Sequence, residues 1–191
     1  MQPQPPLRST HTSGGPKNLL VYDRWGEFGR PVVLLHDLSF DRTMWWPAAA
    51  ELTGAACTVV APDLPGHGQS PPRDDCCLDR LARDLAVLLN GLALHRAPIV
   101  AGHGASAWLA QQFSDAYATH AVITVDEPPT VVDVGAVPEP FRPYAKPQHR
   151  VPPKAYASWL PRRRTKRKRT APPFWHLTDP KGFAAELRGH L

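Results

Sequence analysis

Several short apolar runs in this chain end in turns whose side chains could do chemistry. Val32–Leu35 leads into His36, Asp37 and Leu38, and Val59–Ala61 leads into Pro62-Asp63-Leu64-Pro65-Gly66-His67-Gly68-Gln69-Ser70. Ile99–Ala101 leads into Gly102-His103-Gly104-Ala105-Ser106, and Ala121–Val125 into Asp126. One further histidine, His176, lies near the C-terminus beside Phe174 and Trp175. Imidazoles, carboxylates and a serine are the parts of acid–base and nucleophilic catalysis. Acyl transfer also needs backbone N–H groups aimed at the developing oxyanion. Cys57, Cys76 and Cys77 are odd in number and lack metal-ligand spacing, so they read as reduced thiols of a cytoplasmic protein. No metal and no organic cofactor is expected.

The elements that must position these turns alternate. Leu19–Tyr22 has a strand register, and Pro31–Leu35 is a continuous β-branched and apolar run, as a strand buried on both faces requires. Asp41 is placed to cap a helix over 42–52, with Trp45, Trp46, Ala49 and Leu52 on one stripe. Thr58–Ala61 reads as the next strand. Apolar residues at 78, 81, 82, 85, 88, 89 and 92 predict a helix over 78–92. Pro98–Ala101 is a strand, 107–117 a helix and Ala121–Val125 a strand. Phe183, Ala184, Leu187 and Leu191 form a helical stripe at the end. Strands alternating with helices imply an α/β fold with a doubly wound, mostly parallel sheet.

Composition divides the chain unevenly. Twelve of the 23 prolines follow Asp126 and four lie in the first sixteen residues. The formal charge is +5, yet Arg162–Arg169 holds seven basic residues in eight, which leaves the rest near −2. Nucleic-acid binding therefore does not follow from the overall charge. No apolar run approaches the roughly 18 residues of a membrane span. The N-terminus lacks the apolar stretch of a secretory signal. The organisation expected is a flexible tail at 1–16, an α/β core at 17–127, an irregular Pro/Arg-rich segment at 128–173, and a C-terminal helix at 174–191 packing on the core.

Three segments, in order and in register over about 110 residues, resemble the α/β-hydrolase family. Val32-Val-Leu-Leu-His-Asp-Leu resembles its strand followed by His-Gly-X, with Asp37 where the glycine is usual. Val59-Val-Ala-Pro-Asp-Leu-Pro-Gly-His-Gly-Gln-Ser resembles its next strand and loop. Ile99-Val-Ala-Gly-His-Gly-Ala-Ser-Ala-Trp resembles the nucleophile elbow, G-x-S-x-G, in which a serine sits on a sharp strand-to-helix turn. Here Gly104 holds the nucleophile position, so the turn forms without an Oγ. The resemblance implies a hydrolase acting on an ester or similar small molecule.

It also assigns roles. Oxyanion donors would be the backbone N–H groups of Leu38 and Ala105, which survive loss of a side chain. His36, Asp37 and His103 would line the pocket. Asp126 is the candidate acid, while Asp63 reads as a loop-forming carboxylate. The family's histidine position falls at Pro173 and leaves His176 as a substitute base. Ser106 is an alternative nucleophile, although its place on the first helical turn directs it away from the elbow position. The lid and late strands look reduced, which would expose a sheet edge to self-association.

These observations favour a catalytically impaired family member. The alternatives are a weakly active hydrolase with displaced catalytic residues, and a binding module using 162–169. That basic run has no interleaved aromatic residues, which argues against base stacking. A local shift of reading frame would also produce such an Arg/Pro-rich stretch.

Overall fold

The computed structural model describes residues 8–126, 139–145, 154–159 and 173–191. Its centre is a six-stranded sheet in the order β1-β2-β4-β3-β5-β6. The strands are β1 Ser9–Ser13, β2 Leu20–Trp25, β3 Arg30–Leu35, β4 Cys57–Pro62, β5 Ile99–His103 and β6 Ala121–Val125. Pairing is parallel from β4 through β3 and β5 to β6, and antiparallel at β1–β2 and β2–β4. The doubly wound, mostly parallel sheet expected from the sequence is therefore present. Helix α1 is Trp46–Leu52, α2 Leu78–Gly91, α3 Ser106–Ala116, α4 Trp175–Thr178 and α5 Pro180–Arg188.

Two apolar layers sandwich the sheet. One joins Leu20, Val33, Leu35, Val60 and Val100 to α2 and α3 through Leu81, Leu85, Leu88, Leu109 and Phe113. The other joins Val32, Leu34, Val59, Ile99 and Ala101 to α1 and α5 through Trp45, Ala49, Leu52, Phe183 and Leu187. Residues alternate between the layers because successive side chains of a strand point to opposite faces. Every residue of β4 and β5 is buried, which explains their unbroken apolar sequences. Each fully buried Val, Leu or Ile contributes roughly 1.5–3 kcal/mol.

The expected helix over 42–52 begins as a 3-10 turn, Arg42–Trp45, before α1. Asp41 does cap it, accepting from the Thr43 N–H at 2.9 Å. Pro47 sits at the start of α1, where its missing N–H costs nothing. The C-terminal stripe is helical, but α5 begins earlier than 183. Pro180 opens it and Asp179 accepts from the Gly182 N–H at 3.0 Å.

The reading of 1–16 as a flexible tail is corrected by β1. Ser9–Ser13 pairs with β2 through five consecutive residues, from Ser9 opposite Arg24 to Ser13 opposite Leu20. It was missed because its polar residues carry no apolar alternation; β1 is held by its ladder and by Thr10, which donates to Asp23 at 2.7 Å.

Within the segment expected to be irregular, Glu139–Tyr144 and Ala157–Trp159 form 3-10 turns. Tyr156 and Trp159 are buried against the α2 side of the core. The Trp159 indole N–H donates to the Cys76 carbonyl at 2.8 Å, and the Tyr156 hydroxyl to the Pro65 carbonyl at 2.9 Å. The basic run 162–169 lies outside the described residues, as does Val131–Val137.

Candidate functional site

The elbow forms at the end of β5, where the chain reverses directly into α3. A side chain at Gly102 would place its Cβ 2.5 Å from the Ser106 carbonyl oxygen and 2.8 Å from the Ala107 Cα, so only glycine permits this close packing. Gly104 has φ +54°, the left-handed conformation that glycine enters without penalty. Its N–H donates to the Val125 carbonyl at 2.9 Å, which ties the elbow to the end of β6.

Asp37 fills the space that a side chain at 104 would use. A Cβ on residue 104 would lie 2.5 Å from Asp37 Oδ1 and 2.7 Å from its Cγ. The same Oδ1 accepts from the Ala105 N–H at 2.7 Å. One of the two expected oxyanion donors is therefore already satisfied by the protein's own carboxylate. The expectation that this donor stays available is corrected: Asp37 is its partner, at the start of α3, where negative charge is favoured. The resemblance gives Asp37 as a departure from the glycine pattern and as a pocket residue. The usable signal is reciprocal: a side chain stands at 37 where the family pattern has glycine, and none at 104 where it has serine.

Ser106 is fully buried, and its hydroxyl donates to the His36 carbonyl. It ties α3 to the end of β3 and does not face a cleft as a displaced nucleophile would. His36 is also buried and structural: its Nε2 accepts from the Leu64 N–H at 2.9 Å, and its Nδ1 lies 2.8 Å from the Asp37 carbonyl. Accepting at Nε2 requires the neutral ring with its proton on Nδ1. Burial accordingly pushes the His36 pKa down to about 4, against the smaller upward pull of the Asp37 carbonyl. His67 Nε2 lies 3.0 Å from the Leu38 carbonyl and its Nδ1 3.1 Å from the Pro65 carbonyl; the neutral ring donates to one of the two. Burial lowers its pKa to about 4 as well, with His36 adding to the effect. Both rings are buried.

The structure gathers Asp126, His103 and His176. His103 Nε2 donates to Asp126 Oδ2 at 3.0 Å, and the same oxygen accepts from the Phe174 N–H at 2.9 Å. Asp126 has φ +61° and Phe174 φ +51°, so both ends of this contact hold strained backbone. The acid expected from the sequence thus orients a histidine, but that histidine is His103 on the elbow itself. Among the described residues its Nδ1 has no hydrogen-bond partner, and neither has either nitrogen of His176. The His176 ring is fully buried, 4.8 Å from the His103 ring and 4.4 Å from Trp45. Burial, and then the neighbouring His103, push its pKa well below the usual histidine range. Such a ring is core packing, not a base in reach of substrate. Phe40 and Phe174 pack on His103, with Phe141 stacked on Phe174.

Asp63 belongs to an ion network around Arg42. It accepts from the Arg42 guanidinium and from the backbone N–H groups of Arg42 and Gln69, at 2.9 and 2.8 Å. Arg42 Nε also lies 3.1 Å from Asp23. Burial raises the Asp63 carboxyl to about 6 in spite of these partners. Beside the network is an open cleft of about 540 Å³, lined by Arg8, Thr10, Arg42, Trp46 and Gln69 among others. Among the described residues no group of three or more His, Cys, Asp or Glu side chains is placed to hold a metal ion.

Known proteins share this framework. The chain is 38% identical over 87 residues to an uncharacterised protein of Mycobacterium bovis, covering 45% of this chain and 25% of that protein. An esterase from Thermogutta terrifontis superposes with a TM-score of 0.54 at 29% identity, over 63% of this chain and 45% of the esterase. A protein described as an epoxide hydrolase from Pseudomonas aeruginosa gives 0.59 at 26% identity, over 73% and 48%. The chain spans a quarter of that curated relative and less than half of each solved structure. The model of the alpha/beta hydrolase family matches residues 32–190. With the three motifs, the sheet order and the elbow all in place, the chain belongs to the alpha/beta hydrolase family.

Proposed function

We propose that this chain is a catalytically impaired α/β hydrolase, in which the elbow has become a structural joint. One observation carries the reading: Asp37 Oδ1 bonds the Ala105 N–H in the space left by the missing side chain of residue 104. Nucleophile and oxyanion donor are lost at the same point. Removing the nucleophile of a serine hydrolase alone costs roughly a million-fold in turnover, and the remaining groups recover little because they act as a unit. The Thermogutta and Pseudomonas relatives are described as acting on esters and epoxides. Small electrophilic substrates of that kind are the class from which this fold departed.

The test is hydrolysis of a p-nitrophenyl ester by purified protein against a heat-denatured control. No turnover above the control is expected. Turnover that disappears in His103→Ala would overturn the reading in favour of a water-based reaction. That second reading has support in the His103–Asp126 pair, since an imidazole oriented by a carboxylate is the arrangement of a general base. It is the weaker of the two because His103 is 3% exposed beneath Phe40 and Phe174.

A further inference from the structure

β1 closes one edge of the sheet with a sequence built for pairing. Ser9, Thr10, His11 and Thr12 are exposed and Ser13 half-buried. Natural edge strands are protected by charges, prolines or bulges. β1 has neither charge nor proline, and its unbroken register with β2 leaves no bulge. Its sequence, Ser-Thr-His-Thr-Ser, also reads the same in both directions about His11.

We propose that Ser9–Ser13 is a homodimerisation edge, pairing antiparallel with the same strand of a second copy about a two-fold axis at His11. In antiparallel pairing about a dyad, residue 11 faces itself, 10 faces 12, and 9 faces 13. The palindrome therefore puts threonine against threonine on one face, and serine against serine on the other. Threonine pairs of this kind are favourable cross-strand contacts. Backbone groups of an antiparallel strand point alternately to its two sides. Whichever set faces outward, the dyad pairs it with its own complement. Just beyond the strand, Arg8 would face Gly14 of the second copy, which has no side chain to obstruct it. Isologous contacts need such self-complementarity.

β6, at the opposite edge, is a weaker candidate. Ala-Val-Ile-Thr-Val has no internal symmetry, so a dyad there would oppose unlike side chains. Five residue pairs alone bury less than a standard interface, so dissociation is expected on the order of 10–100 μM.

Sedimentation equilibrium on the full chain up to about 500 μM, well past that range, should show a monomer–dimer equilibrium. His11→Lys and His11→Glu should each be monomeric, since each places like charges face to face. Mixed in equal amounts they should recover the dimer, which loss of folding could not produce. A monomeric wild type, or a dimer that persists in His11→Lys, would overturn the proposal. If either charged variant fails to fold, His11→Cys in a Cys77→Ser background replaces it. Paired strands hold opposing Cα atoms about 4.5–5.5 Å apart, within disulfide range. Oxidation should then give a covalent dimer, and a wild-type dimer whose cysteine variant does not cross-link would count equally against pairing at β1.

Discussion

Asp37 Oδ1 lies 2.5 Å from where the Cβ of a side chain at Gly104 would stand, and that same oxygen caps the Ala105 N–H. The two positions are thereby one unit: a side chain can occupy either but not both without movement.

Restoring the serine alone should harm the protein. In Gly104→Ser the new Cβ meets the carboxylate and the residue must hold φ +54°. Left-handed strain costs about 1–2 kcal/mol and overpacking about 1–3 kcal/mol. A loss of about 2–5 kcal/mol is expected by urea denaturation. In Asp37→Gly/Gly104→Ser the steric part should vanish, giving a favourable coupling of about 1–3 kcal/mol in the double-mutant cycle. Additive single-variant effects would show that the two sites do not interact.

Acid should weaken the fold before general denaturation sets in. His36 and His67 titrate near 4 in the folded protein, against about 6.5 when unfolded, and His176 is displaced in the same direction. The unfolded chain binds more protons between pH 6.5 and 4, so stability from these rings is complete above 6.5 and falls as pH drops through that window. Asp63 acts oppositely: raised to about 6, it favours the folded state at low pH and loses that contribution as pH rises from 3.8 through 6. Three rings outweigh one carboxyl, so the urea midpoint should decrease from pH 7 to 4.5. His176→Phe should make this slope shallower while retaining the contacts to Trp45 and Phe183.

Asp126 should matter more to the C-terminal helices than to catalysis. Its carboxylate joins His103 to the Phe174 N–H just before α4. Hydrogen bonds to charged groups contribute about 1.5–3 kcal/mol each, so loss of both in Asp126→Ala should cost about 3–6 kcal/mol. Amide exchange in α5 should accelerate more than in α2. Equal acceleration in both helices would rule out a local latch.

Trp159 tests whether the 154–159 turn is integral to the core. It is 1% exposed and its indole N–H is satisfied by the Cys76 carbonyl. Trp159→Ala should cost about 3–5 kcal/mol, the usual range for a buried aromatic. A change below 1 kcal/mol in thermal unfolding would place that turn outside the cooperative unit.

The core of the sheet was legible because β3, β4 and β5 are buried on both faces and therefore nearly all apolar. The elbow was legible because Gly102 has a steric requirement that fixes its residue type. β1 was not, since an exposed strand held by backbone pairing needs no apolar pattern. The resemblance names Asp126 as the candidate acid and His176 as a substitute base without showing which ring the carboxylate reaches. The packing of β5 beside β6 brings His103, not His176, within hydrogen-bond reach of that carboxylate. The resemblance gives Asp37 as a pocket residue; that its carboxylate takes up the Ala105 N–H leaves no trace in the residue type of Ala105.

The side chain at 37 and its absence at 104 have a consequence for sequence change, because together they work as a ratchet. A chain that regains serine at 104 first must carry the clash with Asp37. One that loses Asp37 first leaves the Ala105 N–H without its cap and gains no nucleophile in return. Each single step back is worse than standing still. Drift can therefore alter the surface around this elbow freely while the pairing of Asp37 with Gly104 stays fixed.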